Sequence, residues 1–195
     1  MRGKLICFEG IDGSGKGSQI GLLRKKMPKA IVYTYPDKSW AIGKCISDFL
    51  KKRIRLSPVH QFLLYASDIF KDQERIRTEL ESGKAVLLDR YIISTVAYQA
   101  ASGFPMEKSL AIINELEFLK PDLTVLLDID PKISVRRKKK QNSSRLERFE
   151  KARFLGKVRK NYLLLTRKKQ LSKKWLVIDG SKEKEEISGE ILSSV

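Results

Sequence analysis

The sequence predicts an α/β fold, a parallel sheet of five strands covered by helices on both faces, and three observations predict it. Short apolar runs alternate with longer stretches whose apolar residues recur at helical spacing, the pattern of strands joined by crossover helices. A glycine-rich loop follows the first apolar run and opens into the first helical stretch, so a ligand site is expected beyond the carboxyl ends of the strands. With 195 residues, of which 42% are hydrophobic, the chain can bury one full core, and residues 1–195 are expected to form a single domain.

The elements follow in order. Residues 5–8 form a buried strand, and from Ser18 onward Ile20, Leu22, Leu23 and Met27 share a helix face. Residues 30–35 read as a second strand closed by Pro36, which cannot donate to a sheet ladder. A helix spans about 39–52. Ser57 and Pro58 are a helix cap and first position, and Val59, Phe62, Leu63, Ala66, Ile69, Phe70, Ile76 and Leu80 predict one long helix with a single apolar face, ended by Gly83. Residues 85–88 are a third strand that runs into Asp89-Arg90-Tyr91. Helices at 92–101 and about 107–119 lead to a strand at 123–129, and Pro131 starts another helix. The stretch 138–145 has too few apolar residues to pack and is expected to be a mobile loop. Phe154, Val158, Tyr162 and Leu165 restore a helical stripe, residues 175–178 make the fifth strand, and a final helix begins near Lys182.

The loop carries the first chemical signal. Gly10, Ile11, Asp12, Gly13, Ser14, Gly15 and Lys16 follow the phosphate-binding pattern G-x-x-x-x-G-K-[ST] between a strand and a helix, where backbone amides and a lysine charge cradle an anion. Gly17 stands where serine or threonine is usual. The hydroxyl that reaches magnesium must then come from Ser18, or be replaced by water.

Charge and cysteine usage exclude other classes. The net charge of +17 favours polyanions, but it lies on helix faces and between residues 136 and 174, without a helix-turn-helix, zinc finger or aromatic RNA platform. A solvated basic surface is expected, with no specific nucleic acid partner. Two cysteines and one histidine leave no disulfide framework and no histidine metal cluster. The first apolar run ends at Glu9 and no stretch is long enough to span a bilayer, so a cytoplasmic protein without a membrane partner is expected.

FEGIDGSGKGSQ, YPD at residues 35–37, DRY at 89–91, AYQ at 97–99, PDLTVLLDIDP from Pro121 and ERFE at 147–150 together resemble the thymidylate kinase family. The likeness runs in order through nearly the whole chain. FEG-x-D, DRY and AYQ separate it from adenylate kinase, whose loop is similar. The resemblance implies a P-loop kinase fold with a mobile lid at about 136–150, a homodimer, and transfer of the γ-phosphoryl of ATP to dTMP in dTTP synthesis.

Such chemistry depends on positioning and charge neutralisation. Residues 10–18 and Arg136 are expected to bind ATP, Lys16 being also catalytic; Asp89, with Ser18, is expected to bind Mg2+ or its waters, although Asp89 equally suits a helix cap. On the acceptor side the resemblance implies that Asp12 binds the 3'-hydroxyl, that Arg90 binds the acceptor phosphate and is catalytic, and that Tyr98 crowds the 2' position. Lys38 matches a phosphate-binding arginine, Tyr65 matches the aromatic that stacks on the base or is a plain core residue, and Gln99 is placed to read the base edge. Two departures stand out. Ile69 occupies the position of a base-contacting arginine, which weakens the expected preference for dTMP over dUMP. Gly13 replaces a loop arginine, which moves the catalytic charge to Arg145 or Arg148, with Arg136 and Arg137 as alternatives. A kinase of broader base preference and a nucleic-acid-dependent ATPase are the competing functions.

Overall fold

The structure is a computed structural model, which describes residues 2–141 and 151–195. Five parallel strands, β1 (Leu5–Glu9), β2 (Ile31–Thr34), β3 (Val86–Asp89), β4 (Leu123–Asp128) and β5 (Trp175–Asp179), form one sheet in the order β2-β3-β1-β4-β5. β1 is central, and all five of its residues are buried because helices cover both faces. Its alternating side chains feed two cores. Leu5 and Cys7 pack with residues of α3 (Pro58–Phe70), α5 (Ile92–Ser102) and α8 (Ala152–Arg167), including Phe62, Val96 and Val158. Ile6 and Phe8 face α1 (Lys16–Lys26) and α9 (Lys184–Leu192), meeting Ile20, Leu23, Ile187 and Ile191.

The chain leaves β1 toward β2 and β3 on one side and later crosses to β4 and β5 on the other. Outside the carboxyl end of β1 the flanking connections therefore diverge and open a crevice.

The expected long helix is two helices. α3 stops at Phe70 and α4 (Gln73–Glu81) follows, with Asp72 between them as the cap position of α4. Polar contacts stabilise the break. The Asp72 carboxylate accepts from the Tyr35 hydroxyl at 3.0 Å and pairs with Lys71 at 2.5 Å, while the buried Gln73 amide donates to the Ile69 carbonyl at 3.2 Å. The apolar stripe divides too. Phe62, Ala66, Ile69, Ile76 and Leu80 are buried, but Val59, Leu63 and Phe70 are 47%, 51% and 44% exposed.

The remaining differences are at ends. α1 starts two residues before Ser18, at Lys16. α2 (Ala41–Leu50) lies within its expected bounds, and α6 (Met106–Glu115) ends four residues early at a turn where Glu117 has φ 51°. α7 (Pro131–Gln141) extends three turns, so the first part of the expected mobile loop is helix. Lysines tolerate a helix, and α7 is pinned to the glycine-rich loop by Ser134 donating to the Asp12 carbonyl at 2.5 Å. Arg145, Arg148 and the ERFE segment lie outside the described residues, as does most of the expected lid.

Candidate active site

Two clefts meet above the carboxyl end of β1. The first, about 530 Å³, is walled by the glycine-rich loop and the start of α1, and by Asp89, Arg137, Lys182 and Lys184. Gly10 leaves β1 with φ 138°, and a Cβ there would lie 2.5 Å from the Leu127 carbonyl oxygen, so only glycine lets the loop turn against β4. Gly15, at φ 101°, caps α1 and aims its first amides into the cleft. Lys16 is buried, and its ammonium donates to the carbonyls of Gly10 at 3.0 Å and Ile11 at 3.2 Å. Burial and the nearby Arg90 lower its pKa to about 8, against the opposing pull of Asp12, Asp89 and Glu9.

Asp89 ends β3 opposite Phe8 of β1, and Ser18 is exposed on α1; both line this cleft. Among the described residues no cluster of three or more histidine, cysteine, aspartate or glutamate side chains could hold a metal alone. Mg2+ does not require one. It is commonly held by one or two carboxylates together with substrate phosphates and water, and a carboxylate with a hydroxyl beside a phosphate loop fits that habit.

The second cleft, about 270 Å³, lies between α2, α3 and α5. Lys38, Tyr65, Tyr98 and Gln99 all line it, and so does Ile69. Gln99 is 1% exposed, and its amide oxygen has no hydrogen-bond partner among the described residues. Such an acceptor on a pocket wall suits a ligand donor. The Asp68 carboxylate accepts from the Asp37 amide at 2.9 Å and so braces the loop carrying Lys38.

Asp12, Arg90 and Lys138 line both clefts. The Arg90 guanidinium donates to the Asp12 carboxylate at 2.6 Å, to the Gly10 carbonyl at 3.2 Å and to the Ser94 hydroxyl at 3.2 Å, and lies 5.3 Å over the Tyr98 ring. Burial pushes the Asp12 carboxyl up, but Arg90, Lys16 and Lys138 together hold it below the ordinary aspartate range. The wall between the clefts thus carries an ionised carboxylate and fixed cations.

Arg136 is not on either wall. It lines a separate basic depression with Lys132, Lys139 and Lys140, while its neighbour Arg137 donates to the carbonyls of Gly13 at 3.3 Å and Gly180 at 3.0 Å. A run of six residues from Val135 to Lys140 holds five cations, and helix phase alone decides which face the loop, so spacing could not single out Arg137. Ser47 and Lys51 of the α2 region also line the second cleft without having been expected there. Glu9 and Ser94 were missed as well, although Glu9 belongs to a stretch that carried the family likeness and Ser94 lies between two others.

The family model described as thymidylate kinase matches residues 8–191. Thymidylate kinase of Thermoanaerobacter sp. (strain X514) is 37% identical over 203 residues, covering 100% of this chain and 98% of that protein. Thymidylate kinase of Schizosaccharomyces pombe is 32% identical over 199 residues, covering 100% and 92%. Among solved structures, the thymidylate kinase of Candida albicans, described as having broad substrate specificity, matches with a TM-score of 0.82 at 28% identity, over 99% of this chain and 91% of that one.

Proposed function

The chain belongs to the thymidylate kinase family, and from that premise we propose how its residues divide the transfer of the γ-phosphoryl of ATP to dTMP, giving ADP and dTDP. The observation that carries this reading is the wall of Asp12 and Arg90 shared by two clefts. A donor and an acceptor that meet at one wall need no covalent help from the protein, only alignment and neutralised charge.

The loop amides and Lys16 hold the ATP phosphates. Arg137, rather than Arg136, is the α7 cation on the donor cleft. Asp89 and Ser18 would hold Mg2+, which would supply positive charge to neutralise the nucleotide phosphates. Arg90 and Lys38 bind the dTMP phosphate, whose oxygen attacks the γ-phosphorus as the bond to ADP breaks. Asp12 accepts from the 3'-hydroxyl, Tyr98 crowds C2', Tyr65 stacks on the base, and Gln99 reads its edge. Arg145 or Arg148 brings the charge that stabilises the transferring phosphoryl group.

The same reading makes the enzyme a cytoplasmic homodimer. The exposed stripe Val59, Leu63 and Phe70 on α3 is the apolar face that supports a second copy.

Ile69 in the acceptor wall supports a second reading of the base preference. Without the arginine, thymine is told from uracil mainly by its methyl group, worth roughly 1 to 3 kcal/mol in a pocket. The Candida enzyme's broad specificity is in keeping with a permissive acceptor site in this family. A coupled ADP-release assay with dTMP, dUMP, ribosyl TMP and dGMP tests both readings. We expect dTMP first, dUMP within about a hundredfold, and ribosyl TMP much poorer, with Ile69→Arg widening the gap between dTMP and dUMP. A preference for dGMP would overturn the assignment of the acceptor pocket.

A further inference from the structure

Glu9 closes β1 and has no part in the division of labour above, yet it is 0% exposed and lies at the centre of a polar cluster. One carboxylate oxygen accepts from the amides of Tyr91 at 3.0 Å and Ser94 at 3.1 Å. The other accepts from the hydroxyls of Ser94 at 2.5 Å and Tyr162 at 2.9 Å. The Cys7 thiol approaches the first oxygen at 3.6 Å. Every one of these neighbours is a donor. Burial raises the Glu9 pKa above the ordinary glutamate value against the pull of Ser94, Arg90, Tyr162 and Lys16, while the surrounding donors are the partners a carboxylate, rather than a protonated acid, satisfies in full.

The position explains the expense. Tyr91 is the cap residue of α5 and makes no side-chain cap bond, and Ser94 is the third residue of that helix. Glu9 therefore caps α5 from the neighbouring strand, accepting the Tyr91 amide and sharing the Ser94 amide with the Tyr91 carbonyl, which lies 3.0 Å from it. Arg90 immediately precedes this cap, with φ 68° and its amide donating to the Phe8 carbonyl at 3.1 Å. The Ser94 hydroxyl lies 2.5 Å from the Glu9 carboxylate and 2.7 Å from the Tyr162 hydroxyl, and its one proton is best placed on the shorter contact, to the charged acceptor. Its oxygen is thereby left to accept from the Arg90 guanidinium at 3.2 Å. Tyr162 brings the same cluster into contact with α8, which is also tied to α5 by Asn161 donating to the Ala97 carbonyl at 2.8 Å.

We propose that Glu9 is a positioning residue for the acceptor arginine: through Ser94 and the first turn of α5 it holds the Arg90 guanidinium in the one arrangement that meets the dTMP phosphate. Glu9 acts in this way only if Arg90 binds that phosphate, as proposed above, so Arg90→Ala is the reference variant.

The experiment is steady-state kinetics with each substrate varied in turn, for Arg90→Ala, Glu9→Gln, Ser94→Ala and Tyr162→Phe, with melting curves beside them. Glu9→Gln turns an acceptor of four bonds into a group with a donor of its own. Ser94→Ala removes the hydroxyl that links Glu9 to Arg90, together with its 2.7 Å contact to the Tyr162 hydroxyl, which Tyr162→Phe removes separately. Both are expected to raise the KM for dTMP about tenfold and lower kcat, with the KM for ATP within about twofold; Tyr162→Phe should give a smaller change of the same kind. A role confined to folding would lower the melting temperature without separating the two KM values. Should Glu9→Gln fail to fold, Ser94→Ala decides. Unchanged dTMP constants in folded Glu9→Gln or in Ser94→Ala, or equal changes for both substrates, would overturn the inference while leaving Arg90 in its role. An unchanged Arg90→Ala would remove the role of Arg90 and this inference together.

Discussion

At the residue scale, Lys16 shows how burial and charge set a working range. Its ammonium is desolvated among loop carbonyls, and its pKa is lowered to about 8. The sign is fixed by that direction. Below about pH 8 folded and unfolded chains both hold the proton; above it the folded chain releases the proton first, so stability rises with pH until the unfolded lysine also titrates. Phosphate binding runs the opposite way, because the lost proton is the charge the phosphates need. We expect kcat/KM for ATP to fall along a limb centred near pH 8, measured from neutrality to about pH 9.5. Lys16→Ala should lose activity by a factor of about a thousand or more while melting within a few degrees of the parent, since a phosphate contact supplies several kcal/mol in the transition state. Activity within a few-fold of the parent would exclude Lys16 as a phosphate ligand. Lys16 could be read from spacing alone, because the loop pattern is local. Glu9 could not be assigned a role, because its partners Tyr91, Ser94 and Tyr162 are 82, 85 and 153 residues away.

At the scale of elements, helical periodicity found the buried Phe62, Ala66, Ile69, Ile76 and Leu80 but put the exposed Val59, Leu63 and Phe70 on the same face and missed the break at Asp72. A 3.6-residue repeat passes over a two-residue interruption with little loss of phase, and the cause of the interruption, Tyr35 meeting Asp72, comes from a distant turn. The break has a consequence for assembly. Ending α3 at Phe70 leaves Val59, Leu63 and Phe70 as an outward stripe, with Phe70 steadied edge-on by Phe118 at 5.3 Å. Leu63→Glu should convert a dimer to monomers in sedimentation velocity and change the melting temperature of the monomer by only a few degrees, because a half-exposed leucine contributes little to its own core. A parent protein that sediments as a monomer at micromolar concentration would rule out the stripe as a dimer face.

At the scale of the whole molecule, alternation of strands and helices made the parallel sheet legible, whereas the order β2-β3-β1-β4-β5 is a property of long-range pairing that no local pattern carries. The charge of +17 was legible too, and its meaning is now narrower. Some of it lines the first cleft as Lys16, Arg137, Lys138, Lys182 and Lys184, where, on the function proposed above, it attracts nucleotide phosphates. Duplex DNA should bind weakly at low salt, be released as ionic strength approaches about 0.2 M, and leave turnover unstimulated. Turnover that rises with DNA would favour a nucleic-acid-dependent ATPase instead. The cluster of Glu9, Asp12, Lys16 and Arg90 at the end of β1 has one more consequence, for anyone selecting hardier variants of this protein. Charges held away from water oppose folding, and well-packed apolar replacements of such groups are often tolerated or even stabilising. Losing one member strands the others as unpaired buried charge, so a screen that rewards heat resistance alone gains here only when the group is replaced together, at the cost of catalysis, whereas a screen run on turnover will leave these four positions untouched and find its gains on the outer faces of the helices.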